Sequence, residues 1–467
     1  MRLLHTLART RAVFDDPNLL PNVGLAPLLA LAGAAGLPGL LGAARPAGPC
    51  GANAAAKAMC LVAGMAAGAD SIEGMDLLRD GAMETVFGGI RAPSTLGSFL
   101  RAFTWGNVRQ LDKAHRGLTA ALAADPRLLP GREVLAFIDV DSAQERAYGY
   151  QKEGAAFGHA KVQGKPLLLK GLNPLISVIS TPLAAPVLGP VRLRGGSAGS
   201  ARGAAGLAAE AIGTAREAGC AGKVIARFDS AFYNSAVIRT VMRHGAHFSV
   251  TVPMSSSVRN AIARIPEDAW TAISYPQALW DDQLECWVSD AEVAETRYAA
   301  FTSKPKKEQV TARLIVRRVR ARNDKAAQGQ DELFPAWRHH AVFTDSPFEM
   351  IQSEGQHRDH AIVEQVIADL NAGPLAHLPS GHFAANGAWP VLAAMAHNLL
   401  RAAGTRAGTR YSRARTATVR RDLIAMPART ARHGRGNLIL HLPAGHHREQ
   451  AWQNLWTDAC GPPAKAA

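Results

Sequence analysis

The sequence predicts an α/β fold, on three observations. Two apolar runs rich in β-branched residues, 134–141 and 223–229, each end in an aspartate. An alanine-rich segment, 203–218, has helical composition and lies between them. A later segment, 357–371, alternates polar and apolar positions with helical period. Short apolar runs bounded by turn residues read as buried strands, and 3.6-residue periodicity reads as helix.

In chain order, residues 1–130 read as a helical region with candidate helices at 23–34, 52–67, 71–79, 95–103 and 108–124, separated by Gly and Pro. The most apolar stretch, 25–44, is broken by Pro27 and Pro38, too short an uninterrupted run for a membrane span. It also begins after Asp15 and Asp16, too late for a secretory signal. Strands are expected at 133–141, 166–170 and 174–180, with 191–194 a further candidate, then the helix 203–218, the strand ending at Asp229, a helix at 235–244 and a strand at 247–252. Three strands, helix, strand, helix, strand is the order of a ribonuclease H-like core, assigned here to 131–253. In that topology the first and fourth strands are neighbours, so Asp141 and Asp229 would meet.

Residues 254–338 interrupt the alternation and read as a mostly β insertion with a mobile polar loop at 322–332. The core is expected to resume over 339–404, with the helix bearing Glu364 and another at 389–403. Residues 405–467 read as an arginine-rich C-terminal arm. Within 401–436 there are ten Arg against the single acidic residue Asp422, which suggests a flexible or partly ordered arm.

The formal charge of +14 and the pI of about 9.9 point to a polyanionic partner, although abundant Ala, Gly, Arg and Pro also fit a GC-rich genome and a merely solvated basic surface. Five cysteines without a Cys-x-x-Cys pair argue against a zinc ribbon or a disulfide framework and for a reduced, cytoplasmic setting.

Two carboxylates at strand ends and a third on a late helix are the donors that a two-metal phosphoryl-transfer centre requires, because hard divalent cations take oxygen ligands. On one continuous helix, residues seven apart differ by about 20° and residues four apart by about 40°, so His357, His360, Glu364 and Asn371 would share a face. His357, Arg358 and His360 then stand as candidate donors to a phosphate near Glu364. The same stripe also fits an ordinary solvent-facing helix. Gly195–Gly203 lacks the Lys-Ser/Thr ending of a P-loop and reads as a turn at the site rim. Trp270, Trp280 and Trp287 could stack on unpaired bases, with core packing the favoured alternative.

These residues resemble the Asp-Asp-Glu (DDE) transposases of bacterial insertion sequences, most closely the insertion sequence 1380 family within the insertion sequence 4 superfamily. The matching stretches are 137–143 (FIDVDSA), 226–233 (ARFDSAFY), 357–364 (HRDHAIVE), 378–386 (LPSGHFAAN), 66–72 and 91–98. The resemblance implies a catalytic and metal-binding triad of Asp141, Asp229 and Glu364, with Asp139 supporting from behind. It implies two Mg²⁺ ions, for which Mn²⁺ can substitute, and in-line attack by water and then by a DNA 3′-hydroxyl. It also implies double-stranded DNA partners (terminal inverted repeats and target), a homodimer on paired ends, and a nucleoid-associated location. The superfamily's Tyr, Arg, Glu and Lys fall here on His357, His360, Glu364 and Asn371, so the lysine that would touch DNA is missing. Two alternatives stay open: a ribonuclease H-fold nuclease or resolvase, and a decayed copy that binds transposon ends without cutting them.

Overall fold

The computed structural model describes residues 4–149, 151–162, 165–273, 279–281, 286–288, 291–320, 337–434 and 437–461. Its strands are β1 (Leu19–Leu20), β2 (Leu135–Ser142), β3 (Glu145–Arg146), β4 (Ala156–Val162), β5 (Lys165–Ser180), β6 (Val187–Gly195), β7 (Lys223–Phe228), β8 (His247–Val252), β9 (Thr271–Ile273), β10 (Leu279–Asp281), β11 (Cys286–Val288), β12 (Ala291–Ala300), β13 (Val310–Arg320), β14 (Trp337–Thr344), β15 (Ala428–Arg432) and β16 (Leu438–His441). The fold is mixed α/β, built on a large mixed sheet surrounded by helices.

One 11-stranded sheet runs β3-β5-β2-β7-β8-β14-β13-β12-β9, with β4 and β6 also pairing with β5. The segment β6-β5-β2-β7-β8 has β2 and β7 parallel, β7 and β8 parallel, and β5 antiparallel to both β2 and β6. Beyond β8 the strands of residues 291–344 continue the same sheet, each antiparallel to its neighbour. The loop expected at 322–332 lies outside the described residues. Trp280 and Trp287 are register partners in the β10–β11 pairing.

Alternation along β2 sets up the site. Ala136, Ile138 and Val140 point into the main core, with Val224, Ala226 and Phe228 of β7 beside them. The opposite face carries Leu135 and Phe137, which pack with Ile225 and Phe348, and then turns acidic at Asp139 and Asp141. Burying each large side chain contributes roughly 1.5–3 kcal/mol, so a one-residue slip, which would turn the apolar set outward, is strongly disfavoured.

The two strands expected at 166–170 and 174–180 are one strand, β5. Gly171 and Pro174 look like turn signals, but Gly171 serves close approach: a Cβ there would lie 2.1 Å from the Glu145 carbonyl oxygen of β3. The helix expected from Trp389 begins six residues earlier and spans Phe383–Ala407. Pro390 mimics a helix start because proline favours the first turn. This 25-residue helix is buried almost all round. It packs against the helices Leu25–Ala34, Ala54–Ala67, Trp105–Leu122 and Glu449–Cys460 and against β6.

No single helix among the described residues is long and apolar enough to cross a membrane. The apolar pair Leu25–Ala34 and Leu37–Ala43 is bent by 66°, and Leu25, Leu28, Leu31, Leu37 and Leu41 are buried in the main core. The arginine-rich stretch after Arg401 is drawn into this layer. Buried Arg401 donates to the carbonyls of Ser412 and Ala414, and Arg406 pairs with both Asp125 and Asp458. β15 pairs with β1, and Gly24 passes so close to Leu423 that a Cβ would sit 1.9 Å from its carbonyl oxygen.

Candidate active site

β2 and β7 are parallel and in register, with Asp139 opposite Arg227 and Val140 opposite Phe228. One step further along each strand brings Asp141 and Asp229 side by side at adjacent strand ends. Asp141 Oδ1 accepts from the Ser142 N–H at 2.7 Å, and Asp229 Oδ1 accepts from the Ala231 N–H at 3.0 Å. The Asp141 carboxyl is pushed up to about 6, first by burial and then by the negative charges of Asp229 and Glu364. All three carboxylates of the sequence motif are therefore within electrostatic reach of one another.

The helix carrying Glu364 is not continuous. Met350–Arg358 is followed by a 3₁₀ turn, Asp359–Ala361, and then by Ile362–Asn371, which packs on β2. Across this break the His357 and His360 rings still stack, with centroids 6.3 Å apart. His357 is buried, with Nδ1 2.8 Å from Ser249 Oγ and Nε2 2.9 Å from Thr251 Oγ1. Burial, with the nearby His360 and Arg227 charges adding to it, drives its pKa down to about 3. His357 is thus a neutral anchor to β8, with both ring nitrogens engaged inside the protein. Arg358 donates to Glu354 Oε2 at 2.8 Å, and Glu354 also receives Arg317 of β13 at 3.0 Å.

His360 faces the site: its Nδ1 lies 2.9 Å from Asp139 Oδ1. Asp139 is fully buried and also held by Arg227, at 2.6 Å from Nε and 2.7 Å from Nη2. Burial alone would raise the Asp139 carboxyl, but Arg227 and His360 outweigh it and hold it below its usual value. Arg227 is spent on Asp139, on the Gln356 carbonyl and on the Phe137 ring, 4.1 Å away. Arg227 was not among the residues singled out from sequence. The available signal was the Arg-x-Asp ending of β7, which mirrors the Asp-x-Asp ending of β2.

Asn371 lies near Glu145 of β3, whose carboxyl is raised by burial and lowered in part by the Asn371 amide. The glycine-rich turn folds around Arg194, which donates to the carbonyls of Gly199, Ser200 and Arg202, and Ser200 Oγ lies 3.3 Å from Ser142 Oγ beside Asp141. A cavity of about 800 Å³ opens next to Ser230, lined in part by Arg259, Arg338, His339 and His340. On its wall Arg318 lies 4.2 Å from the Trp270 ring and 4.5 Å from the Trp337 ring, and it binds Glu267 and Glu292. Arg318 thus occupies a face of Trp270, which gives that tryptophan a packing role.

The family model for the transposase DDE domain, group 1, matches residues 58–458. The chain belongs to this family. A search of curated proteins matches none to it. As a DDE-domain transposase the protein is of a class that binds DNA, cleaves it and transfers strands, generally with divalent metal ions. Among its described residues no three or more His, Cys, Asp or Glu side chains stand close enough to form a ready-made metal site. The donor chemistry nonetheless fits such ions. Hard divalent cations take carboxylate oxygens, and Asp141, Asp229 and Glu364 offer such oxygens.

Proposed function

We propose that this chain is the transposase of a bacterial insertion sequence, cutting the element's ends and joining them to target DNA by in-line phosphoryl transfer. The observation that carries the reading is the register of β2 on β7, which sets Asp141 beside Asp229, together with the influence of Glu364 on Asp141. The strand order β6-β5-β2-β7-β8, with only β5 reversed, supports a ribonuclease H-like core.

Asp141, Asp229 and Glu364 would hold two Mg²⁺ ions. When bound, such ions supply a low-pKa water and charge neutralisation at the phosphate. Asp139 and Arg227 fix the strand ends against each other. Asp139 also orients His360 through its Nδ1, leaving Nε2 for a phosphate oxygen. Two protomers would act on paired inverted repeats in the bacterial nucleoid.

The test uses the full chain and a duplex ending in the element's terminal repeat. Asp141→Ala, Asp229→Ala and Glu364→Ala should each abolish Mg²⁺-dependent cleavage with end binding nearly intact. Normal cutting by one variant removes that residue from the triad, and normal cutting by all three overturns the reading. Strand-transfer product from a 3′-hydroxyl end separates a transposase from a nuclease or resolvase.

A further inference from the structure

The strand β5 does two jobs. Its C-terminal half pairs with β2, where Ile176 stands opposite Asp141. Its N-terminal half leaves the sheet and pairs with β4 as a two-stranded ribbon, from Ala156 opposite Gly171 to Val162 opposite Lys165. The ribbon projects by about 20 Å at roughly 3.4 Å per residue.

Four features set it apart. Large apolar side chains are exposed along it: Phe157 is 64% and Leu168 60% exposed. Exposure occurs on both faces: Phe157 and Lys170 are opposite partners on one face, Leu167 is 45% exposed on the other, and Arg146 of β3, 5.1 Å from the Tyr148 ring, flanks the root at Gly171. Four of the chain's twelve lysines fall in 152–170, and no carboxylate occurs in 156–171. Its root is clamped: Lys152 donates to the Leu378 carbonyl, the Glu153 N–H to the Gly381 carbonyl, and the Phe383 N–H to Glu153 Oε2. An element with a fixed base, exposed cations and apolar side chains, and no negative charge fits a groove walled by phosphates. The major groove of B-DNA, about 12 Å wide, admits a two-stranded ribbon.

We propose that this ribbon enters the major groove of the DNA held at the acidic centre; the inference rests on the transposase reading. From Ile176 to Gly171 the strand covers about 17 Å. The ribbon's contacts therefore lie at least that length of strand from Asp141, away from the bond being cut.

The test compares full-length Arg146→Ala/Lys170→Ala with Lys306→Ala/Lys307→Ala, which removes the same charge from a loop between β12 and β13. Binding to the terminal-repeat duplex is measured by fluorescence anisotropy across a salt series. The ribbon variant should lose about tenfold in affinity, and its log–log salt slope should fall by about 1.8, with the loop variant changing less than half as much. Phe157→Ser/Leu168→Ser should weaken binding with the slope unchanged. An unaltered slope in the ribbon variant, or an equal fall in both charge variants, overturns the inference and leaves the transposase reading standing. Loss of self-association with an unaltered DNA slope assigns the ribbon to a second copy of the chain instead. Failure of the unmodified protein to bind any duplex sinks both.

Discussion

Arg227 stands directly opposite Asp139 across the β7–β2 pairing and grips both of its carboxylate oxygens, at 2.6 and 2.7 Å. Each residue lies two positions before a strand-end aspartate of the proposed triad. The pair thus ties together the two strands whose ends must stay aligned.

Because this ion pair is buried, removing one partner strands the other. Arg227→Met should destabilise the protein by about 3–5 kcal/mol in denaturant unfolding. Arg227→Met combined with Asp139→Leu should recover much of that loss. A loss below 1 kcal/mol for the single variant would show the pair to be structurally dispensable.

Asp141 gives a signed pH effect. A carboxyl held at about 6 when folded, against an ordinary 3.8, stabilises the fold below the lower value and loses that contribution as pH rises through the upper one. In metal-free buffer at pH 7.5, Asp141→Asn should therefore be more stable than the parent, by on the order of 2–3 kcal/mol, while failing to cut DNA. Equal melting curves for the two proteins would contradict this. The Mg²⁺ concentration needed for half-maximal cleavage should rise as pH drops through about 6, because a proton then competes with the cation for Asp141.

Three buried histidines act in the opposite sense. Burial lowers His115 to about 4, His357 to about 3 and His397 to about 4, from an ordinary 6.5. Their contribution is present above pH 6.5 and is lost as pH falls toward those values. Between pH 6 and 5 the three together should cost about 4 kcal/mol per pH unit, offset in part by Asp141. His397→Phe should flatten the dependence of the urea midpoint on pH, and an unchanged slope would exclude it as a contributor.

Asn371 occupies the superfamily's lysine position and lies near Glu145, whose Oε1 is buried without a hydrogen-bond partner. Asn371→Lys would give that carboxylate a cation. The variant should melt no lower than the parent and should cut transposon ends faster. A lower melting temperature with unchanged cutting would show that Asn371 is not the weak point of this copy.

The strand ends were legible because apolar alternation over 134–141 and 223–229 leaves little freedom in which residues turn inward. The element order through β8 was legible only in part: one strand, β5, stands where two were expected, and β3 and β4 were not foreseen. The break at Asp359–Ala361 was hidden, since a 3₁₀ turn disturbs helical spacing by less than a residue. His357 looked like a partner for phosphate because helical spacing does not show that β8 lies against its ring, where Ser249 and Thr251 take both nitrogens. Arg227 was overlooked because one cation in an apolar strand gives no hint of its partner until the neighbouring strand is known. Nor could local pattern say that β12 and β13 would extend the central sheet, because strand pairing over that distance is a tertiary outcome.

The pairing of β1 with β15 and the seating of Gly24 against Leu423 have a consequence for biosynthesis. A growing polypeptide cannot close its first helical layer until codons beyond 430 have been read and the corresponding peptide has left the ribosome exit tunnel. Nonsense mutations late in the gene should then yield aggregation-prone fragments cleared by proteases, not shortened enzymes with residual competence.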